Sequence, residues 1–219
     1  MFSILYNNFI YKFITILFIS VNFIPLTVYC NLKIALFGDS LMAGYGLSKK
    51  YHLSTILQKN LEEQGFDVDV INASVSGDTT AGGLNRLNWL VDDNNIDIII
   101  LCLGANDMLR GISPNTVKEN LKKILENLKK KKIEIVLAGM LSQETYGKEY
   151  KKKFDMIYPD LANEFKISFL PFLLDGVALN PDYNLEDGKH PNNQGVNVIS
   201  KNLEKKVIPI LNKYYNSSS

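Results

Sequence analysis

Histidine and cysteine are scarce here, two of each in 219 residues. Cys102 lies inside the apolar run Ile98–Leu103 and reads as a small core residue, and Cys30 ends an apolar amino-terminal stretch, so no structural disulfide is expected. Net charge is nearly absent as well. Twenty-four basic residues against 23 acidic ones give no basic footprint, and a nucleic-acid partner is not indicated. The lysine runs 129–132 and 151–153 fall where helix ends are expected, and cations suit the helix dipole there. The chain shows no internal repeat, no linker and no Gly-Lys-Ser/Thr phosphate loop. Gly44-Tyr45-Gly46 begins a dinucleotide fingerprint, but Lys49 stands where its third glycine belongs. Imidazole chemistry, if there is any, must come from His52 or His190.

The first 30 residues differ from the rest. They hold no acid and one base, Lys12, followed by an uncharged stretch from Phe13 to Cys30. As a helix those residues would reach roughly 27 Å, close to the minimum for a bilayer. Asn22 and Pro25 interrupt the stretch, and strand-like sequence follows almost at once. Residues 1–30 are therefore expected to be a signal peptide cut near Asn31, with an uncleaved membrane anchor as the alternative. Lipidation of Cys30 is disfavoured by the bulk of Tyr29. Export to the bacterial periplasm is implied, with membrane association through residues 13–30 if the segment stays. Residues 31–219 form the expected single domain, whose oligomeric state the sequence leaves open.

Within that domain, short apolar runs at 32–37, 68–72, 97–103, 133–139 and 167–172 read as strands buried on both faces. Amphipathic stretches near 53–64, 79–93, 115–130, 149–165 and 194–213 separate or follow them. Asp78 or Thr79 can cap the second helix, and Ser113 with Pro114 behind it can open the third. Strands alternating with helices in this way predict an α/β fold, a parallel sheet wrapped on both sides.

The polar residues of interest each follow a strand: Ser40 after the first, Asn72–Asp78 with Ser74, Ser76 and Gly77 after the second, and Gly104-Ala105-Asn106-Asp107 after the third. Asp187-Gly188-Lys189-His190-Pro191 lies beyond the fifth. In a parallel sheet these loops open on one edge. A serine hydroxyl needs a base to take its proton, and histidine is suited to that task. His190 has Asp187 three residues earlier, near enough to fix its tautomer. His52 begins the first helix and reads as a surface residue. The N–H groups of Ser40 and Gly77 and the amide of Asn106 are suitable donors to an oxyanion. Taken alone, Asn106 reads equally well as a turn residue. The chemistry that these groups support together is acyl transfer.

These blocks resemble those of the SGNH, or GDSL-type, hydrolase family. Gly38-Asp39-Ser40-Leu41 is similar to its serine block, Gly77 to its glycine block, Gly104–Asp107 to its asparagine block, and Asp187 with His190 to its last block. Val75–Leu84 and Asp187–Asn192 look like the arylesterase, acyl-CoA thioesterase I and lysophospholipase branch. The resemblance implies a flavodoxin-like three-layer α/β/α fold, with a five-stranded parallel sheet in the order 2-1-3-4-5 and no metal or cofactor. It implies Ser40 as nucleophile, His190 as base, Asp187 as its orienter, and Ser40, Gly77 and Asn106 as the oxyanion hole. Relatives often carry a proline-containing Tyr-Gly loop after the fourth strand. Here that loop reads Leu141–Gly147, an expected wall of the acyl pocket. Leu41, Tyr146 and Pro191 are the expected substrate contacts, and Met42 is read as packing.

The expected function is therefore a serine esterase or thioesterase acting on acyl esters: aryl esters, acyl-CoA thioesters or lysophospholipids. Carbohydrate O-deacetylation on the same machinery is one alternative. A flavodoxin-like nucleotide- or flavin-binding module is another. The apolar run Phe169–Leu174 is read either as core or as lining of an acyl channel.

Overall fold

The computed structural model describes residues 31–93 and 95–217, so the expected signal or anchor over residues 1–30 lies outside the described residues. Among the described residues no helix is long and apolar enough to cross a membrane.

Five strands make one parallel sheet: β1 (Leu32–Gly38), β2 (Val68–Asn72), β3 (Ile98–Cys102), β4 (Glu134–Ala138) and β5 (Ser168–Leu170), in the order β2-β1-β3-β4-β5. The two central strands carry the least polar sequence. Ile98 to Cys102 is buried throughout, and from Ile34 to Phe37 β1 is fully buried, as a strand covered on both faces must be. β5 stops after three residues, where Pro171 has no N–H to continue the ladder.

The helices are α1 (Ser40–Ala43), α2 (Leu53–Glu63), α3 (Thr80–Asp93), α4 (Ala105–Leu109), α5 (Pro114–Lys130), α6 (Lys148–Asp155), α7 (Ile157–Phe165) and α8 (Asn193–Ser217). α2 packs on α8, while α3 packs on α5 and α5 on α7, which makes the two outer layers. α5 shows how sequence dictates such an element. Val117, Leu121, Ile124, Leu125 and Leu128 recur at helical spacing and are all buried. Pro114 occupies the first turn, and Ser113 Oγ accepts the N–H of Thr116 at 3.2 Å. At the start of α3 the cap is Thr79, whose Oγ1 accepts the N–H of Gly82, whereas Asp78 pairs with Arg86 instead. The single helix expected over 149–165 is two, because Pro159 offers no N–H to the carbonyl four residues back at Asp155, where α6 ends. Two short helices, α1 and α4, were not expected, and both belong to the site.

Candidate active site

Register brings three of the site loops to adjacent strand ends. Leu36 of β1 stands opposite Asn72 of β2, and Gly38 of β1 stands opposite Cys102 of β3. β1 leaves the sheet at Gly38, where a Cβ would sit 2.7 Å from both the Cys102 carbonyl oxygen and Met42 Sδ, so only glycine fits. Asp39 then caps α1, its carboxylate accepting the N–H of Leu41 at 3.0 Å. Ser40, the first residue of that helix, is thereby fixed at the rim, and Met42 is buried beneath it as expected.

The last loop returns across the sheet to meet it. Gly188 takes a positive φ of 66°, closing a turn in which Asp187 Oδ1 accepts the N–H groups of Lys189 (2.9 Å) and His190 (3.0 Å). The other oxygen, Oδ2, lies 2.6 Å from His190 Nδ1. His190 Nε2 lies 2.9 Å from Ser40 Oγ, across 150 positions of chain. The carboxylate favours the tautomer protonated at Nδ1, which turns the Nε2 lone pair toward the hydroxyl. Backbone and imidazole donors hold the Asp187 carboxyl down at about 2, the His190 N–H contributing most. The Tyr45 ring packs on the imidazole, centroids 4.4 Å apart.

Gly77 sits in the loop after β2 with φ at 83°. A Cβ there would find only Arg110 Nη2, at 4.0 Å, so glycine serves the backbone conformation and not a lack of space. Ser74 Oγ donates to the Leu36 carbonyl, and the Val75 N–H to that of Gly38, which ties the loop to β1. Asn106 is set by α4. Gly104, at φ 120°, opens that helix against Tyr158, and the wholly buried Asp107 accepts both the N–H and the hydroxyl of Thr80 (2.8 and 2.6 Å). Asn106 Nδ2 donates to the Asp78 carbonyl at 2.9 Å and to Asp39 Oδ2 at 3.3 Å. Both its protons face protein acceptors, and the longer bond is the one an oxyanion would replace. Burial, above all, pushes the Asp39 carboxyl up to about 6.

These groups border one cleft of about 910 Å³. Leu41, Met108, Met140, Leu141, Phe172 and Leu174 give it an apolar wall, and Tyr45, Leu109 and Leu179 stand exposed at its edge. Both readings of the Phe169–Leu174 run hold in part, since Leu170 and Leu173 are core whereas Phe172 and Leu174 line the cleft. Leu141 to Glu144 also border it, so the loop after β4 is a wall. Two of the expected contacts, Tyr146 and Pro191, do not border the cleft. Tyr146 is not among the lining residues, because its ring lies against Tyr150, centroids 5.5 Å apart. Pro191 bridges Asn184, and its ring packs close to Gly195. His52 stands at the start of α2, with Nε2 on the Leu47 carbonyl.

Asp39, Tyr45 and Asp107 also shape the site, although the sequence motifs assign them no part in it. An aspartate one residue before a helix is a recognisable cap, and that signal was available for Asp39. Tyr45 and Asp107 act through partners that local sequence does not show.

A model of the GDSL-like lipase/acylhydrolase family matches residues 36–198. The chain is 40% identical over 159 residues to an arylesterase of Vibrio mimicus, covering 73% of this chain and 80% of that protein. It is 35% identical over 175 residues to thioesterase 1/protease 1/lysophospholipase L1 of Escherichia coli K12, covering 80% and 83%. Among solved structures, the SGNH-hydrolase family esterase AlinE4 is 40% identical, with a TM-score of 0.70 over 83% of this chain and 97% of the other.

Proposed function

Because this chain belongs to the GDSL-like lipase/acylhydrolase family and is a serine ester hydrolase, we propose that Ser40, His190 and Asp187 carry its catalysis and that its substrates are acyl esters and thioesters. The hydrogen-bond chain from Asp187 through His190 to Ser40 is the observation that carries this reading.

In this mechanism Ser40 Oγ attacks the acyl carbonyl while its proton passes to His190 Nε2. The imidazolium is stabilised by Asp187. The oxyanion that forms is met by the N–H groups of Ser40 and Gly77 and by Asn106 Nδ2, which releases Asp39 to reach it. Collapse expels the alcohol or thiol, protonated by His190, and leaves an acyl ester on Ser40. Water, deprotonated by the same imidazole, then frees the acid. The apolar cleft wall supports an aliphatic acyl chain as the group that is held, more than the hydroxyl-rich face of a sugar. Export by residues 1–30 belongs to the same proposal, supported by their lack of acidic residues and the uncharged run 13–30; the mass of the native protein tests it.

The direct experiment is Ser40→Ala, assayed on a nitrophenyl ester beside a thermal unfolding curve. A folded variant with turnover reduced to near background is expected. A folded variant with normal turnover would overturn the mechanism.

A further inference from the structure

This chain has 22 lysines but only two arginines, Arg86 and Arg110. Both grip the loop between β2 and α3. Arg86 comes from α3 on the inner side: Nε donates to Asp78 Oδ2 (2.6 Å), Nη1 to the Ala73 carbonyl (2.6 Å) and Nη2 to the Gly38 carbonyl (3.2 Å). Its guanidinium carbon lies over the Phe37 ring, 3.9 Å from the centroid. Arg110 ends α4 on the outer, exposed side, and its Nη2 donates to the Gly77 carbonyl at 2.9 Å.

We infer that Arg86 and Arg110 are positioning residues that set the oxyanion hole. The inference rests on the proposed roles of Gly77 and Asn106 as donors. Those two residues sit on loops from different strands, and neither loop alone determines their separation. Arg110 joins them, since it lies one helical turn beyond Asn106 and holds the peptide that follows Gly77 N–H. Arg86 joins both to the nucleophile. It anchors Asp78, whose carbonyl accepts from Asn106, and it binds the carbonyl of Gly38, two residues before Ser40.

The partners of Arg86 explain why arginine stands there in a chain rich in lysine. Arg86 serves three acceptors in different directions while stacking on an aromatic face, and a planar fork does this where a single ammonium cannot. Neither side chain borders the cleft, so both act through the donors they hold and not on substrate.

The test is charge-conserving: Arg86→Lys and Arg110→Lys, each with Ser40→Ala measured in parallel. Losing a whole oxyanion donor typically costs 10²–10³ in rate, so a donor left in place but misaimed is expected to lower kcat by about tenfold or more. KM is expected to stay within about twofold, because ground-state binding is untouched. A boronic acid that adds to Ser40 places a tetrahedral oxyanion in the hole. Its inhibition constant is expected to rise in proportion to the fall in kcat, a correlation that loosened packing alone would not produce. Arg110 is exposed, so its variant folds and decides the matter even if Arg86→Lys does not. Normal kcat and unchanged boronate affinity in Arg110→Lys, with Ser40→Ala inactive, would overturn this inference and leave the catalytic assignment standing. An active Ser40→Ala would overturn the assignment itself.

Discussion

Asn106 and Asp39, 67 positions apart, share a hydrogen bond of 3.3 Å from Nδ2 to Oδ2, while the second amide proton of Asn106 goes to the Asp78 carbonyl. The donor is thus held in place before substrate arrives and must exchange one acceptor to act. Asn106→Ala removes it and leaves the two backbone donors. Turnover is expected to fall on the order of 10²–10³ with little change in KM, the pattern of an interaction made chiefly in the transition state. Steady-state kinetics on one nitrophenyl ester checks this; a variant within a few-fold of the wild type would remove Asn106 from the mechanism.

The same carboxylate sets a dependence of stability on pH. Asp39 is 1% exposed, and its folded-state value stands near 6 against an ordinary 3.8. Between those values the folded chain binds the proton more tightly than the unfolded one. Its contribution to stability is therefore fully present below about pH 4, declines as pH rises through 6 and is gone above that. The amount at stake is on the order of 3 kcal/mol. Asp39→Asn keeps an oxygen for the Leu41 N–H and carries no charge. Its melting temperature is expected to change less between pH 4.5 and 8 than that of the wild type. Equal changes in the two proteins would count against a charged, buried Asp39.

Asp187→Asn is the informative variant at the third position of the proposed triad. In the wild type one carboxylate oxygen is engaged by the N–H groups of Lys189 and His190, and the other faces Nδ1. The single oxygen of asparagine will satisfy the two backbone donors, which turns its NH₂ toward Nδ1. The imidazole must then offer a lone pair at Nδ1 and carry its proton at Nε2, facing Ser40, where it cannot act as base. A loss of about 10⁴ in kcat is expected, with the turn intact. Because the wild-type carboxyl is held at about 2, it stays ionised over the working range, so protonation of Asp187 does not itself limit wild-type turnover. Steady-state kinetics at pH 8 checks the loss; a variant within a few-fold of the wild type would mean the carboxylate orients nothing.

Much of this arrangement is legible in the chain because it depends on periodicity and on strand ends. Ile98 to Cys102, with no polar residue, reads as a strand covered on both faces, and Ser40 and Asn106 each follow a largely apolar run, while His190 lies well beyond β5 in the loop before α8. What was not legible lies in contacts between distant segments. The bond of Arg86 to the Gly38 carbonyl and the bonds from Thr80 to Asp107 link α3 to its neighbours through side chains whose local sequence looks like ordinary helix surface or turn. The break between α6 and α7 lies just before Pro159, yet proline alone does not mark a break, since α8 continues through Pro209. Tyr146 lies off the cleft lining for a related reason. Loop membership places a residue near a site, and only packing, here against Tyr150, decides where its ring goes.

The cleft wall makes a last prediction that separates the two ester chemistries. Leu41, Met108, Met140, Phe172 and Leu174 line the cleft that Ser40 also borders, so methylenes added to the acyl group find apolar surface to leave water for. Burying one methylene is worth about 0.8 kcal/mol, or up to about fourfold in kcat/KM, until the wall ends. Across nitrophenyl acetate, butyrate, hexanoate and octanoate, kcat/KM is expected to climb with chain length. A carbohydrate deacetylase needs room for an acetyl group alone, and extra methylenes would lower its rate. A maximum at acetate would therefore displace the acyl-chain reading in favour of the deacetylase, with the same serine, histidine and aspartate at work.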